Sequence, residues 1–248
     1  MKQYDDNLRY PVVLLDVGQT LVGPRESYGA VYSEALRGLG PELAAERLEE
    51  SIQEVAAEMK TLVPAGADRF SHFPGGENEY WLRFSREVIA RAAGREISME
   101  LARVALDRLR EAFKSDGAWI VYPDVVPALE GLRARGCRLG VVSNWDSRLP
   151  LVLERLGLHR HFDTVGVSHI EKIEKPDPRF FLRVLQRLDA RPEQALHIGD
   201  SVELDLEGAR AAGVDGLIVD RTDGAEAGPS VLTDLAELPR IVGSNRRS

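Results

Sequence analysis

The sequence predicts an α/β protein with a parallel sheet and an inserted helical domain, on three observations. Four short apolar runs share one pattern, stretches with helical spacing lie between the later runs, and a long, mostly helical segment separates the first two runs. The runs are Val12–Leu15, 139–142, 195–198 and 217–219. Continuous apolar runs that alternate with helices are typical of parallel strands buried on both faces. We therefore expect a Rossmann-like core.

The helices of this core are expected between the later strands, where apolar residues recur at helical spacing. The segments are 125–135, 149–156, 178–188 and 204–212. Thr164–Val167 is expected to add a further strand.

The segment after the first strand does not follow this alternation of strands and helices, and we expect it to be a separate helical insert. The expected boundaries are residues 1–22 and 118–248 for the core and 23–117 for the insert. Leu101 and Leu109 lie on one apolar helix face, with Ser98 as the expected N-cap. The polar, glycine-containing stretch 64–78 is expected to be a loop. Tyr80 and Trp81, just after it, are expected to pack within the insert.

The composition disfavours several classes of protein. The chain has 248 residues, 44% hydrophobic and 29% charged, with a net charge of −8 and a pI near 5.3. Nucleic-acid binding needs a basic face, so no nucleic-acid partner is expected. No apolar run approaches the roughly 18 residues of a membrane span, and the N-terminus is too polar for a signal peptide. The single cysteine, Cys137, excludes an internal disulfide. We expect a cytoplasmic protein without a membrane partner, and the sequence leaves its oligomeric state open.

Polar side chains follow three of the predicted strands and precede one predicted helix, where ligands bind in open parallel sheets. They are Asp16, Ser143, Asn144, Lys175, Asp200 and Asp205. An acid directly after four apolar residues, as at Asp16, is costly to bury without a partner. The other positions have ordinary alternatives. Ser143 and Asn144 could cap a helix, and Lys175 could lie in solvent before a turn.

Together these residue types suit phosphoryl chemistry. Carboxylate oxygens are hard ligands for Mg²⁺, which uses one or two carboxylates and keeps several waters. A serine hydroxyl and a lysine ammonium can hold the oxygens of a transferring phosphoryl group. An aspartate can act as a nucleophile through an aspartyl phosphate.

The motifs resemble the haloacid dehalogenase (HAD) superfamily, in its branch with a helical cap inserted after the first strand. The matching segments are DVGQT at 16–20, VVSN at 141–144, KPDP at 175–178, GDSVELD at 199–205 and GARAAG at 208–213. Their order and spacing fit across nearly the whole chain. The resemblance implies an α/β HAD core with a helical cap and a small phosphorylated substrate.

The resemblance also implies a role for each matching residue. Asp16 would be the nucleophile and a Mg²⁺ ligand, and Lys175 would steady both Asp16 and the phosphate. Ser143 would bind phosphate, with Thr20 and Asn144 either near the phosphate or satisfying local turns. Mg²⁺ would also be held by Asp200 and, directly or indirectly, by Asp205.

One position departs from the family pattern. HAD phosphatases usually read DxDxT, and the second acid protonates the leaving group and then activates water. Here Gly18 stands at that position, and Gln19 replaces the usual glycine. Gly18 can still offer its backbone carbonyl to Mg²⁺, as the family does. General acid–base help typically contributes about 10²–10⁴-fold, and Gly18 cannot supply it.

Several functions fit this pattern. The first is a Mg²⁺-dependent phosphatase whose substrate has a good leaving group, with Glu203 or Gln19 as candidates to activate water. The second is a HAD-fold phosphate-binding or regulatory protein with little turnover. A phosphonatase-type C–P hydrolase would need a cap lysine, for which Lys60 is the candidate. A dehalogenase is disfavoured by the intact Gly199–Asp200 pair. His197, inside an apolar run, is expected to be a hydrogen-bonded core residue.

Overall fold

The structure, a computed structural model, describes residues 8–40, 42–114, 117–222 and 224–243. The chain divides into two compact units. We call them the core unit, which runs up to Gly23 and from Val121, and the helical unit, Pro24–Ile120. The sequence places these boundaries after residues 22 and 117. That the helical unit serves as a cap stays a prediction.

The core unit is built on a parallel sheet. The strands are β1 (Val12–Leu15), β2 (Val22–Pro24), β3 (Trp119–Val121), β4 (Arg138–Ser143), β5 (Thr164–Val167), β6 (Ala195–Gly199), β7 (Asp215–Val219) and β8 (Val231–Leu232). Six of them form one sheet in the order β5-β4-β1-β6-β7-β8, and adjacent strands in this sheet pair in parallel. Strands β2 and β3 pair separately. The predicted α/β fold class is confirmed.

Helices fill the connections. They are α1 (Tyr28–Leu36), α2 (Ala45–Thr61), α3 (Arg69–His72), α4 (Gly76–Ala93) and α5 (Met99–Lys114) in the helical unit, then α6 (Val125–Ala134), α7 (Leu149–Arg155), α8 (Ser168–Glu171), α9 (Pro178–Arg187), α10 (Gly208–Ala211) and α11 (Leu238–Gly243) in the core unit. A π-helix spans Val202–Glu207, and short 3₁₀ turns occupy His159–His161, Pro192–Gln194 and Leu235–Glu237.

The order of the strands fixes where a site can form. From β1 the chain builds outwards through β4 and β5 on one side, and through β6, β7 and β8 on the other. The direction of the connections therefore reverses beside β1, which is where open α/β sheets bind ligands. Leu15 pairs with Val141 on one side and Ile198 on the other, so residues 16, 143 and 200 lie at one edge of the sheet.

Apolar packing explains why β1 is central. All four of its residues are fully buried, as expected for a strand covered on both faces. Val12 and Leu14 belong to a cluster that includes the inner face of α9, with Phe180 and Phe181 fully buried. Helix α9 is well specified at its start, because the Asp177 side chain accepts a hydrogen bond from the backbone N–H of Arg179.

The helical unit has its own apolar core, in which aromatic rings are prominent. The rings of Phe70 and Tyr80 meet edge to face at 4.9 Å, and Trp81 packs against the same cluster, as expected. Ser98 caps α5, since its hydroxyl accepts the N–H of Leu101 at 3.2 Å. Lys60 is exposed at the end of α2. Across the part of the chain that the structure describes, no helix is long and apolar enough to cross a membrane.

Three local predictions differ from the structure. The expected loop 64–78 contains the short helix α3, because Asp68 accepts hydrogen bonds from the N–H groups of Phe70 and Ser71 and caps it. It also contains the first turn of α4, which begins at Gly76. The expected helix 204–212 begins instead as the π-helix Val202–Glu207. Strands β2, β3 and β8 were not predicted, because two or three residues are too few for a pattern.

The packing of α9 gives a stability prediction. We expect Phe180→Ala to lower the free energy of unfolding by about 3–5 kcal/mol, because it leaves a cavity at a fully buried site. Leu182→Ala, on the same helix with a 41% exposed side chain, should cost about 0.5 kcal/mol or less. Urea denaturation followed by circular dichroism measures both. Equal losses would contradict the assigned buried face.

Candidate active site

Asp16 lies at the central point of the site. Its N–H donates to the carbonyl of Ile198 at 2.9 Å, which continues the pairing of β1 with β6 by one residue. Its residue surface is only 8% exposed, and its Oδ1 lies 2.9 Å from Nζ of Lys175. The carboxylate that follows the apolar run is therefore paired rather than left alone in the sheet edge.

Lys175 is a buried cation held between two carboxylates. Its Nζ lies 2.9 Å from Asp16 Oδ1 and 2.6 Å from Asp205 Oδ1, and the residue is 1% exposed. Burial by itself lowers the pKa of a lysine, but the charges of Asp16 and Asp205 outweigh it and raise the pKa of Lys175 above its ordinary value. The ammonium therefore stays charged. The alternative of a solvent-exposed lysine is wrong.

Asn144 fixes the backbone of this lysine. Its side-chain Oδ1 accepts the N–H of Lys175 at 2.8 Å, and its Nδ2 donates to the Lys175 carbonyl at 3.0 Å. Both ends of the amide are thus engaged by one residue. Of its two predicted roles, this geometry favours local positioning over direct contact with phosphate. Helix α7 begins only at Leu149, so Ser143 and Asn144 do not cap it.

Asp205 is the second partner of Lys175 and is almost fully buried. Its Oδ1 also meets Nε2 of His197 at 2.8 Å, and its Oδ2 accepts the N–H of Ser201 at 3.0 Å. Burial raises the pKa of a carboxyl group, but Lys175 and His197 outweigh it and hold the pKa of Asp205 well below its usual range. His197 is a hydrogen-bonded core residue, as expected, although its link to the site was not predicted.

Gly199 lets Asp205 approach the sheet. A Cβ at residue 199 would lie 2.0 Å from Cγ of Asp205, which no side chain could tolerate. The π-helix that carries Asp205 has a wider turn than an α-helix, and such turns occur often at functional sites. Gly199 of the motif therefore has a steric reason.

Asp200 completes a cluster of three acids. Asp16, Asp200 and Asp205 each offer a carboxylate oxygen, and these atoms lie within 4.8 Å of one another. Asp200 as a residue is exposed, but loss of hydration around its carboxyl group and the charges of Asp16 and Asp205 raise its pKa to about 7. Crowded, like-charged hard oxygens fit a divalent cation, whose charge would relieve their repulsion. Both oxygens of Asp205 already have protein partners, so Asp16 and Asp200 are the more available ligands.

Ser143 and Thr20 lie at the same sheet edge, and both are buried. Ser143 ends β4 and is level with Val167 of β5. The Thr20 hydroxyl is fully buried and has no hydrogen-bond partner among the described residues. An unsatisfied buried hydroxyl costs free energy, so a ligand oxygen would satisfy it. Their roles as phosphate ligands stay predictions.

The loop after Asp16 is held by residues that sequence reasoning missed. Gln19 has a positive φ of 54°, and its Oε1 accepts the hydroxyl of Tyr122 at 3.0 Å. Arg221 donates to the carbonyl of Thr20 at 2.7 Å, pairs with Asp124 at 2.8 Å and lies over the Tyr122 ring. These partners lie about 100 and 200 positions away along the chain, so no local pattern could have revealed them.

The two candidates for activating water differ in their surroundings. The carbonyl end of the Gln19 side chain is engaged by Tyr122. Glu203 lies exposed on the π-helix, three positions after Asp200. The choice between them stays open.

A polar site at the point where a parallel sheet reverses its connections is typical of open α/β proteins, which bind their ligands there. A family model described as haloacid dehalogenase-like hydrolase matches residues 10–213. The chain belongs to this family of hydrolases, which confirms the resemblance drawn from its motifs.

Individual relatives agree with this assignment. The haloacid dehalogenase-like hydrolase domain-containing protein 3 of Bos taurus is 32% identical over 216 residues, covering 86% of this chain and 82% of that protein. A glyceraldehyde 3-phosphate phosphatase of Methanopyrus kandleri is 29% identical over 214 residues, covering 82% and 80%. The L-2-haloacid dehalogenase structure from Xanthobacter autotrophicus has a TM-score of 0.67 at 20% identity, with 94% and 98% covered. That structure shows a shared fold alone.

The buried ion pairs give a second prediction. Lys175→Met leaves two carboxylates without their cation, so we expect a loss of about 3–5 kcal/mol in the free energy of unfolding at pH 7. The loss should shrink as pH falls, because Asp205, whose pKa Lys175 holds down in the wild type, takes up a proton more readily without that cation. Denaturant unfolding at several pH values measures it. Lys172→Met, at an exposed position three residues earlier, is the control. A pH-independent loss would contradict the electrostatic cause.

Proposed function

We propose that the protein is a Mg²⁺-dependent phosphatase that acts on a small phosphorylated metabolite through an aspartyl phosphate at Asp16. The observation that carries the proposal is the ammonium of Lys175, fixed between Asp16 and Asp205 beside the acidic cluster. A buried cation at the reacting carboxylate can bind the phosphoryl oxygens and orient Asp16 at the same time. Relatives named glyceraldehyde 3-phosphate phosphatase and ribulose-1,5-bisphosphate 5-phosphatase support a phosphorylated substrate.

Each residue has a role in this proposal. A carboxylate oxygen of Asp16 attacks phosphorus, and the bond to the leaving oxygen breaks. Lys175 and Ser143 stabilise the equatorial oxygens, and the Thr20 hydroxyl gains a partner there. Asn144 keeps the backbone of Lys175 in place. Water then cleaves the aspartyl phosphate and releases inorganic phosphate.

The metal would be held by Asp16, Asp200 and the backbone carbonyl of Gly18, with Asp205 in support. Bound there, Mg²⁺ supplies positive charge that offsets the repulsion between the phosphate and the carboxylates. The protein's own contribution is the spacing of the acids and the ammonium that keeps Asp205 ionised.

Gly18 supports a second candidate function. Without the second acid, the same fold could bind phosphate and Mg²⁺ with little turnover and serve as a binding or regulatory protein. The phosphonatase alternative depends on Lys60, which is exposed in the helical unit. The dehalogenase alternative remains disfavoured by the Gly199–Asp200 pair and the acid cluster.

The catalytic prediction uses p-nitrophenyl phosphate and acetyl phosphate as substrates. We expect Mg²⁺-dependent hydrolysis that EDTA abolishes and that Asp16→Asn reduces to background, because the nucleophile is lost. Gly18→Asp should raise turnover of glycerol phosphate, a third substrate whose alkoxide is a poor leaving group, up to about 10²-fold, by supplying a general acid. Steady-state release of p-nitrophenol and phosphate measures this.

The controls separate the two candidate functions. Glu203→Gln keeps the metal cluster and tests whether Glu203 activates water. No turnover by the wild type, together with turnover by Gly18→Asp, would favour the binding protein. No turnover by either would contradict the phosphatase proposal.

Metal binding can be measured without turnover. We expect Mg²⁺ at about 100 times its dissociation constant to stabilise the fold by about 2.7 kcal/mol, which raises the melting temperature. Asp200→Asn should abolish most of this shift, because it removes an available ligand of the cluster. Glu203→Gln, in the same motif but outside the cluster, should keep it. An unchanged shift in Asp200→Asn would place the metal elsewhere.

A further inference from the structure

The space left by the missing acid has one apolar wall. A Cβ built on Gly18 would meet one heavy atom within 4 Å, apart from its chain neighbours, and that atom is Cζ3 of Trp145 at 3.5 Å. This is an ordinary van der Waals distance. The rest of the surroundings of that Cβ position is open, so Gly18 faces a space that is bounded on one side by the indole ring.

The backbone that carries this ring is firmly anchored. The N–H of Trp145 donates to the Ser168 hydroxyl at 3.1 Å, and its carbonyl accepts from the same hydroxyl at 3.2 Å. The residues on either side are also fixed, since Asn144 binds the backbone of Lys175 and the buried Asp146 binds Arg148. The backbone of Trp145 is therefore held at the residue itself and on both sides of it.

The chemistry of this wall differs from that of an acid. Neither the hydrogen of Gly18 nor the carbon edge of the indole can give a proton to a departing oxygen. A leaving group beside these two groups gains no proton from them, so one that is stable as an anion is favoured. A flat aromatic group gains contact with the indole, whereas a small polar group gains little.

We propose that Trp145 is a specificity-determining residue that packs against the leaving group, and that the substrates it favours are aryl phosphate monoesters. This inference rests on the proposed phosphatase function. Phenols ionise near a pKa of about 10, as tyrosine does, so a phenolate leaves with less need of an acid than an aliphatic alkoxide.

The step balances without a general acid. The Asp16 oxygen forms its bond to phosphorus, the bond between phosphorus and the aryl oxygen breaks, and the electron pair leaves with the phenolate. The phenolate takes a proton from solvent. Water then hydrolyses the aspartyl phosphate, so that aryl phosphate and water give phenol and inorganic phosphate.

The experiment compares aryl and acetyl phosphate in one enzyme. We measure kcat/KM for phenyl phosphate, p-nitrophenyl phosphate and acetyl phosphate in the wild type, Trp145→Ala, Trp145→Phe and Leu182→Ala. We expect Trp145→Ala to lower the ratio of aryl to acetyl kcat/KM about 10-fold, and Trp145→Phe to keep most of it. The ratio is independent of the fraction of folded enzyme. Leu182→Ala controls for loss of a partly exposed apolar side chain.

An unchanged ratio in Trp145→Ala overturns the inference and leaves the phosphatase proposal standing. If the wild type hydrolyses none of the three substrates, the phosphatase proposal fails. The indole contact is then tested by calorimetric binding of phenylphosphonate and methylphosphonate in the presence of Mg²⁺. A preference for phenylphosphonate that Trp145→Ala removes supports the contact. Equal affinities in the wild type, or a preference that survives the substitution, overturn it.

Discussion

The contact on which this site depends is the ammonium of Lys175 between Asp16 and Asp205. Three carboxylates and one ammonium leave a formal charge of −2, which a divalent cation matches. Burying such charges costs several kcal/mol per ion, and only close pairing and further hydrogen bonds offset this cost. His197 and the backbone N–H of Ser201 provide those hydrogen bonds to Asp205, and Asn144 holds the backbone of Lys175. Several neighbouring residues thus hold one buried cation, the ammonium of Lys175, in place.

The sequence could predict the sheet and the residues at its edge, because strand ends meet in space wherever parallel strands are adjacent. Asp16, Ser143 and Asp200 each follow an apolar run, and that pattern is local. It could not predict that Asn144 turns towards the backbone of Lys175, since that depends on how two distant segments approach. The wide π turn that brings Asp205 under Gly199 leaves an ordinary helical pattern in the sequence.

The loop from Asp16 to Val22 shows a second limit of local reasoning. A left-handed residue other than glycine costs about 1 kcal/mol or more, so Gln19 is an unfavourable choice by itself. Its side chain accepts a hydrogen bond from Tyr122, which a glycine could not do, and the bond from Arg221 to the carbonyl of Thr20 holds the next residue. The nucleophile loop is therefore supported from residues far along the chain. This support accounts for a departure from the family motif that looks unfavourable when the sequence is taken alone.

Gly18 has a consequence for how the family can diverge. Its backbone lies outside the left-handed region, and its surroundings would admit a Cβ at van der Waals distance. A single base change converts some glycine codons into aspartate codons. The first carbon of an added side chain meets no packing barrier, so the present loop and one with two acids are one base change apart. A change at this one codon would add or remove the second acid while the indole beside it stays in place.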